Sequence, residues 1–151
     1  MGASEEGRQI LPIRARRRPN ILVVDDDKSM RDLLQLHLAN AGYNVALAED
    51  AVVAGRMFLG STPDLLLIDV DMPYLSGLDF VATLFADTTV PIIPVIFTTA
   101  HEYFAQYADA LGADCLIKPI LKSLLLETVA QNLHPKGSNK RVAGGSARIG
   151  I

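Results

Sequence analysis

The sequence predicts an α/β protein in which helices cover both faces of a parallel sheet. Short apolar runs, such as those at 21–24 and 65–68, are typical of strands that are buried on both sides. Segments with helical spacing of apolar residues follow these runs, and strand and helix alternate five times along the chain. Because parallel strands are joined by crossovers of one hand, the economical arrangement places helices on both faces of the sheet.

Each element follows from its local pattern. Strands are predicted where an apolar run ends in polar or turn residues, and helices where apolar residues recur at intervals of three and four. Asp27 is suited to cap the first helix, and Gly42 and Gly112 to follow the first and fourth helices. In chain order, the predicted elements are strand 21–24, helix 30–41, strand 43–48, helix 51–59, strand 65–68, helix 76–85, strand 95–98, helix 103–111, strand 115–117 and helix 120–133.

Charge divides the chain into one acidic domain and two basic segments. Residues 1–19 carry five Arg and two Glu, a net charge of +3, and residues 135–151 carry four basic residues and no acid. Since the whole chain has a net charge of −3, residues 20–134 carry −10. We therefore expect a domain at 20–134 between a flexible basic N-terminal arm and a flexible basic tail. For the arm, a solvated segment is the alternative to a binding role.

The sequence favours a cytoplasmic protein. No apolar run approaches the roughly 20 residues that a membrane-spanning helix needs, and no apolar segment of a signal peptide follows the charged N-terminus. The single cysteine, Cys115, excludes an internal disulfide and fits a reducing compartment. No membrane partner is expected.

Polar side chains follow four of the predicted strands. Because the carboxyl ends of parallel strands meet at one edge of the sheet, these side chains should converge there. Clustered carboxylates repel unless a proton or cation neutralises them, and a hydrated site built from carboxylate oxygens suits Mg²⁺. Thr99 and Lys118 could hold a phosphoryl group beside a nucleophilic Asp69. The residues are Asp25, Asp26 and Asp27 after the first strand, Asp69 and Asp71 after the third, Thr98 and Thr99 after the fourth, and Lys118 after the fifth.

This constellation resembles the receiver domain of bacterial two-component response regulators. The resemblance covers residues 20–133, and it implies a flavodoxin-like, doubly wound sheet of five parallel strands in the order 2-1-3-4-5. The motifs that carry it are Val23-Val-Asp-Asp26, Asp69-Val-Asp-Met-Pro73 with Gly77, Thr99-Ala100, Gly112-Ala113 and Lys118-Pro119.

The resemblance also implies a role for each residue of the constellation. Asp69 would accept a phosphoryl group from a histidine kinase or a histidine phosphotransfer protein. Mg²⁺ would be held by the side chains of Asp26 and Asp69, by the backbone carbonyl of Asp71 and, through water, by Asp25. Thr99 and Lys118 would contact phosphoryl oxygens, and Lys118-Pro119 would be a cis peptide. The activity would be limited to phosphorylation and dephosphorylation of Asp69, unlike that of a conventional enzyme.

Signalling would follow from the new charge. A phosphoryl group adds about −1.5 to −2 charges, and the resemblance implies that it draws Thr99 inward and alters the surface of helix four, strand five and helix five for a protein partner. Two features depart from the family. Cys115 stands where an aromatic switch residue is usual, and the interval from Thr99 to Lys118 is short. Phosphoacceptance should survive both departures, whereas an aromatic readout would require Tyr103 or Tyr107 in place of the usual switch residue.

Other functions compete with a stand-alone receiver. The run Leu66-Leu-Ile-Asp-Val-Asp71 also resembles the Asp-x-Asp motif of haloacid-dehalogenase-like phosphatases, although Met72 departs from that motif. A receiver fold used as a phosphorylation-independent scaffold is a third hypothesis. Only 17 residues follow His134, too few for a helix-turn-helix, so we expect no direct nucleic-acid binding.

The last predicted helix suggests a homodimer contact. Its inward stripe is Leu125, Leu126, Val129 and Leu133, which leaves Leu121 and Leu124 on a different face. An exposed leucine pair can form a dimer interface, and it can equally be an ordinary surface feature.

Overall fold

The computed structural model of the chain describes residues 17–135 and 147–149. The predicted arm and tail lie mostly outside these residues. Within them, none of the helices combines the length and the apolar character that crossing a bilayer requires. The elements are β1 (Asn20–Val24), α1 (Lys28–Asn40), β2 (Asn44–Ala48), α2 (Ala51–Gly60), β3 (Leu65–Asp69), α3 (Gly77–Ala86), β4 (Val95–Thr99), a 3-10 helix (Glu102–Phe104), α4 (Ala105–Ala110), β5 (Asp114–Ile117), α5 (Lys122–Leu133) and β6 (Ala147–Ile149).

The strands form one parallel sheet in the order β2-β1-β3-β4-β5-β6. The predicted order 2-1-3-4-5 is confirmed for the first five strands. The sheet also has a sixth strand, Ala147–Ile149, which pairs with β5 inside the segment that was expected to be a flexible tail. The sequence does not predict β6 because its three residues are too few to show a strand periodicity, and its pairing uses backbone groups that composition does not specify.

Two apolar layers enclose the sheet. On one face, α2, α3, the 3-10 helix and α4 cover the strands with buried residues that include Phe58, Phe80, Phe104 and Ala108. On the other face, α1 and α5 contribute Leu34, Leu38, Leu125 and Val129. The strands β1, β3, β4 and β5 supply buried side chains to both layers. The central strands are therefore covered on both sides, which is why they appear in the sequence as continuous apolar runs.

The first helix has the predicted N-cap and the predicted glycine after its end, although it spans Lys28–Asn40 instead of residues 30–41. The Asp27 carboxylate accepts hydrogen bonds from the backbone N–H groups of Ser29 at 2.9 Å and Met30 at 3.4 Å, which caps the helix. Gly42 follows its end with a φ of +101°, a conformation that glycine adopts without strain. The buried stripe is narrower than predicted, since Leu33 is 45% exposed.

The last helix differs from its prediction in two ways. It begins at Lys122 rather than at residue 120, and Leu121 is an extended residue that precedes it. Leu124 is half-buried and packs against the same core as Leu125, so the predicted second face formed by Leu121 and Leu124 is wrong. Leu121 alone is exposed, at 44%. The reason is that adjacent helical positions lie about 100° apart, which keeps Leu124 at the rim of the buried stripe.

Candidate functional site

Three carboxylates meet at the carboxyl edge of the sheet. Asp25 follows β1 directly, Asp26 comes next, and Asp69 is the last residue of β3. Each offers an oxygen atom, and these atoms lie within 4.8 Å of one another. Asp25 and Asp69 are 1% and 3% exposed, whereas Asp26 faces solvent. Buried carboxylates at this spacing repel one another, so a cation that binds between them would be stabilised.

Lys118 provides positive charge beside the cluster. Its Nζ lies 3.3 Å from Oδ2 of Asp25 and 3.5 Å from Oδ1 of Asp69. The residue follows β5, and its backbone N–H donates a hydrogen bond of 2.7 Å to the carbonyl of Thr99. The next peptide bond, Lys118–Pro119, is cis, as the resemblance implied. The ammonium group pairs with two of the three carboxylates, so one positive charge opposes three negative ones when all three are ionised.

Thr99 lies at the end of β4 and is fully buried. Its hydroxyl donates a hydrogen bond of 3.2 Å to Oδ2 of Asp71 and accepts one of 3.1 Å from the backbone N–H of His101. The backbone N–H of Asp71 in turn donates to Oδ1 of Asp69 at 3.1 Å. A chain of hydrogen bonds therefore links Asp69 to the loop that follows β4. The Asp71 side chain is not in the carboxylate cluster, and its predicted metal contact through the backbone carbonyl stays a prediction.

Burial sets the protonation behaviour of the site. Desolvation raises the pKa of Asp69 to about 6, and the carboxylates of Asp25 and Asp71 add to this, while Lys118 and the hydrogen bond from Asp71 oppose it. Burial alone would lower the pKa of Lys118, but the charges of Asp69 and Asp25 outweigh it and raise that pKa above its usual value. Lys118 is therefore a fixed cation, and a further cation would favour the ionised form of Asp69.

The loop after β3 packs tightly behind Asp69. Gly77 donates its backbone N–H to the carbonyl of Val70 at 3.1 Å. A Cβ atom at Gly77 would collide with the backbone carbonyl oxygen of Asp69 and would lie 3.1 Å from Cγ1 of Ile68. Only glycine fits this contact, which explains the structural need for the Gly77 that the motif contains.

Arg31 belongs to the surroundings of the site, although the sequence did not indicate it. Its guanidinium donates a hydrogen bond of 2.6 Å to the backbone carbonyl of Asp25, and the backbone N–H of Asp27 donates to Oδ1 of Asp25 at 2.9 Å. Together these bonds fix the turn that presents Asp25 and Asp26. A single arginine on the polar side of α1 is indistinguishable in the sequence from a solvated residue, so no signal could have identified it.

Cys115 is a buried structural residue of β5. Burial raises the pKa of its thiol to about 12, and the nearby carboxylates of Asp109 and Asp114 contribute. It pairs in register with Phe97 of β4. The ring of Phe97 contacts Phe104 edge-on with 5.3 Å between centroids, and Phe104 in turn lies 5.8 Å from Tyr107. Aromatic packing from β4 to α4 thus lies beside the small Cys115 side chain.

A family model described as "Response regulator receiver domain" matches residues 21–130. Response regulator MprA of Mycobacterium avium is 38% identical over 129 residues, which cover 82% of this chain and 56% of that protein. Transcriptional regulatory protein PrrA of Mycobacterium tuberculosis is 30% identical over 133 residues, covering 87% and 57% respectively. The chain thus spans about half the length of the curated relatives that it matches.

Solved structures show the same architecture. Chemotaxis response regulator CheY4 of Vibrio cholerae is similar with a TM-score of 0.72 and 29% identity, over 78% of this chain and all of that one. A putative response regulator from Chloroflexus aurantiacus gives a TM-score of 0.73 and 27% identity, over 78% of this chain and 98% of that one. The fold and the order of its first five strands are therefore those of receiver domains.

Proposed function

The chain belongs to the response regulator receiver domain family, and we propose that it takes part in two-component signalling by accepting a phosphoryl group on Asp69. The observation that carries this proposal is the position of Asp69, a buried carboxylate at the end of β3 that lies 3.5 Å from the ammonium of Lys118 and beside two further carboxylates. A nucleophile that lies beside the Lys118 ammonium and beside carboxylates that can hold a metal ion is suited to attack a phosphorus atom.

The proposed reaction is an in-line transfer from a phosphohistidine. An oxygen of the Asp69 carboxylate forms a new bond to phosphorus while the bond from phosphorus to the histidine nitrogen of the donor breaks, and the nitrogen keeps the electron pair. The product is an acyl phosphate. Asp69 must be ionised to attack. Burial raises its pKa and so disfavours the ionised form, whereas neighbouring positive charge lowers the pKa and favours that form.

The donor set fits Mg²⁺. The oxygens of Asp25, Asp26 and Asp69 are hard ligands within 4.8 Å of one another, and only part of their charge is balanced by Lys118. We propose that these three residues and the backbone carbonyl of Asp71 hold the ion. When bound, Mg²⁺ offsets the charge of the incoming phosphoryl oxygens. The exposed Asp26 leaves the site open to solvent, as a partly hydrated ion requires.

Lys118 and Thr99 are proposed to receive the phosphoryl group. The Lys118 ammonium is already directed at Asp69, so it can pair with a phosphoryl oxygen without a large movement. Thr99 has to exchange its bond to Asp71 for one to the phosphoryl group. Its hydroxyl also accepts from the N–H of His101, so this exchange would alter the loop that leads into the 3-10 helix and α4.

The output surface is proposed to be the face formed by α4, β5 and α5. Tyr103 and Tyr107, which are 67% and 47% exposed, stand where the loop after Thr99 continues into α4. Since Cys115 cannot supply an aromatic side chain, we propose that Tyr107 reports the change through its contact with Phe104. A downstream protein would then distinguish the two states by the position of α4.

Phosphotransfer from a panel of histidine kinases and phosphotransfer proteins tests the donor class. Each partner is labelled on its histidine and mixed with wild-type protein or with Asp69→Asn in the presence of Mg²⁺. We expect rapid loss of label from a cognate partner to the wild type and none to the variant. Label that reaches both proteins equally would refute Asp69 as the acceptor. If no partner transfers its label and small phosphodonors also leave the protein unphosphorylated, the chain would be a phosphorylation-independent scaffold with a receiver fold.

A further inference from the structure

The outer edge of β5 carries a short parallel strand. In β6, Ala147 pairs with Cys115, Arg148 with Leu116, and Ile149 with Ile117. Without β6, the outward backbone groups of β5 would form an open sheet edge, because β4 occupies its other side. Cys115, Leu116 and Ile117 are buried, so β5 is held in place by the core whether or not its edge is covered. An ordered open edge of this kind can accept another strand.

The helix α5, which precedes β6, lies on the opposite face of the sheet from the helices that precede β4 and β5. Along the sheet, β3, β4, β5 and β6 follow one another in one direction. The helices α3 and α4, which join the first three of these strands, lie on one face, whereas α5 lies on the other face together with α1. Crossovers between parallel strands are right-handed in about 98% of cases because of strand twist, and for strands added in this direction the rule places the preceding helix on the face of α3 and α4. A strand that follows α5 at the β5 edge is therefore in a disfavoured arrangement.

We propose that the β5 edge is a strand-docking surface and that residues 147–149 of this chain are its displaceable occupant. Three features support the proposal. The strand is only three residues long, it lies at the sheet edge, and the helix that precedes it lies on the disfavoured face of the sheet. Each lowers the free energy needed to release β6 compared with any of the four inner strands. The edge, in contrast, persists after release because β5 belongs to the core.

Charge complementarity supports this occupant. Residues 136–151 contain four basic residues and no acid. The amino end of the β5 edge is acidic, since Asp109 and Asp114 both lie close enough to Cys115 to affect its thiol. Among the described residues, Oδ1 of Asp109 is buried without a hydrogen-bond partner. A strand that carries Arg148 is therefore favoured at this edge over a neutral or acidic one.

The consequence for signalling rests on the proposed function, in which β5 is part of the output face. A partner that adds a strand to β5, or that covers α4 and β5 together, has to displace β6 first. Residues 147–149 would then lower the apparent affinity of the chain for such a partner. The docking of β6 itself requires neither Mg²⁺ nor a phosphoryl group, so it can be tested without them.

Hydrogen exchange of the whole chain in metal-free buffer tests the docking. The variants are a chain that ends at Pro135, the double substitution Ala147→Pro with Ile149→Pro, and Arg148→Pro, which between them remove every N–H group of β6. Arg141→Pro is the matched control because it makes the same substitution outside β6. We expect the β5 amides that face β6 to exchange about tenfold faster in the truncated chain and in at least one proline variant, with the control unchanged. The amides of β4 should stay protected throughout, which shows that the fold is intact.

Two results would overturn the proposal. Equal exchange of the β5 amides in wild type, truncated chain and proline variants would mean that the segment does not cover the edge. Protection that is lost on dilution, together with a dimer mass in light scattering, would mean that a second copy supplies the strand. Because no phosphodonor is present, either result leaves the proposed chemistry of Asp69 unaffected.

Discussion

The proposed function requires Asp69 to be reactive and buried at the same time. Its environment disfavours the ionised form, as its pKa of about 6 indicates, yet Lys118 and the N–H of Asp71 are aligned to support that form. The ionised form of Asp69 therefore has an unfavourable free energy in the folded protein, and a bound cation or a phosphoryl group would lower it. The same feature makes Asp69 a source of instability in the metal-free protein.

The raised pKa predicts that Asp69→Asn stabilises the metal-free protein in a pH-dependent way. The folded-state pKa of about 6 lies above the usual value of 3.8, so the ionised carboxylate costs stability at any pH above 6, and this cost disappears as the pH falls towards 4. We expect the substitution to raise the free energy of unfolding by about 1–3 kcal/mol at pH 8 and to have little effect at pH 4. Urea unfolding in chelator at both pH values measures it. A variant that is less stable at pH 8 would contradict the assignment.

Gly77 provides a test of the backbone behind Asp69. Since a Cβ atom would collide with the carbonyl of Asp69, Gly77→Ala should lower the free energy of unfolding by about 1–3 kcal/mol, despite the better helix propensity of alanine. Gly60→Ala is the matched control, because a Cβ atom there meets nothing within 4 Å. Thermal unfolding of both variants gives the comparison. Equal effects of the two substitutions would show that the contact behind Asp69 does not constrain the loop.

At the residue scale, the sequence predicts the identity of the site better than its internal bonding. Asp25, Asp69, Thr99 and Lys118 could be located because each follows a strand, and parallel strands bring such positions together. The contacts of Arg31 depend on side-chain rotamers and loop geometry, which no pattern encodes. The same holds for the hydrogen bond between Thr99 and Asp71.

At the element scale, ten strands and helices could be predicted because burial and periodicity agree along each of them. The apolar pattern predicts too early a start for α5, because Leu121 continues the pattern while its backbone is extended. The pattern also does not predict the face of Leu124, because a helical wheel does not show how far the neighbouring strands reach around a helix. The strand β6 has no pattern long enough to detect.

The corrected α5 leads to a packing prediction. Leu125 is fully buried against the sheet, whereas Leu121 precedes the helix and is 44% exposed. Leu125→Ala should therefore lower the free energy of unfolding by about 2–5 kcal/mol, since it leaves a cavity. Leu121→Ala should cost less than about 1 kcal/mol. Urea denaturation of the two variants decides between this structure and one in which Leu121 belongs to the core, where both losses would be similar.

At the scale of the whole molecule, the topology of the sheet places acidic residues close together. Asp25, Asp26 and Asp69 meet at the carboxyl edge, and residues 20–134 as a whole carry a net charge of −10. Because the chain belongs to the receiver family, the phosphatase alternative that the Asp-x-Asp motif raised is set aside. The sequence could not predict that part of the C-terminal basic segment pairs with β5. This pairing needs a sheet edge that exists only after the sheet has formed.

The acidic edge predicts that Mg²⁺ stabilises the protein through Asp26. Binding to the folded state alone raises the free energy of unfolding, by about 2.7 kcal/mol when the ion is at 100 times its dissociation constant. Asp26→Asn removes an exposed carboxylate that we propose as a ligand, and it should abolish most of this gain. Asp32→Asn, which removes the same charge from an exposed position of α1, should retain it. Thermal unfolding with and without Mg²⁺ measures the effect, and equal loss in both variants would indicate general charge screening instead of a site.

The intact mass of the protein after treatment with acetyl phosphate and Mg²⁺ tests the central claim most directly. Wild type, Asp69→Asn and the matched control Asp32→Asn are treated in parallel and measured at once, because acyl phosphates hydrolyse. The account predicts a gain of one phosphoryl group in the wild type and in Asp32→Asn, and no gain in Asp69→Asn. A phosphoryl group on Asp69→Asn, or no gain in any of the three proteins, would contradict it.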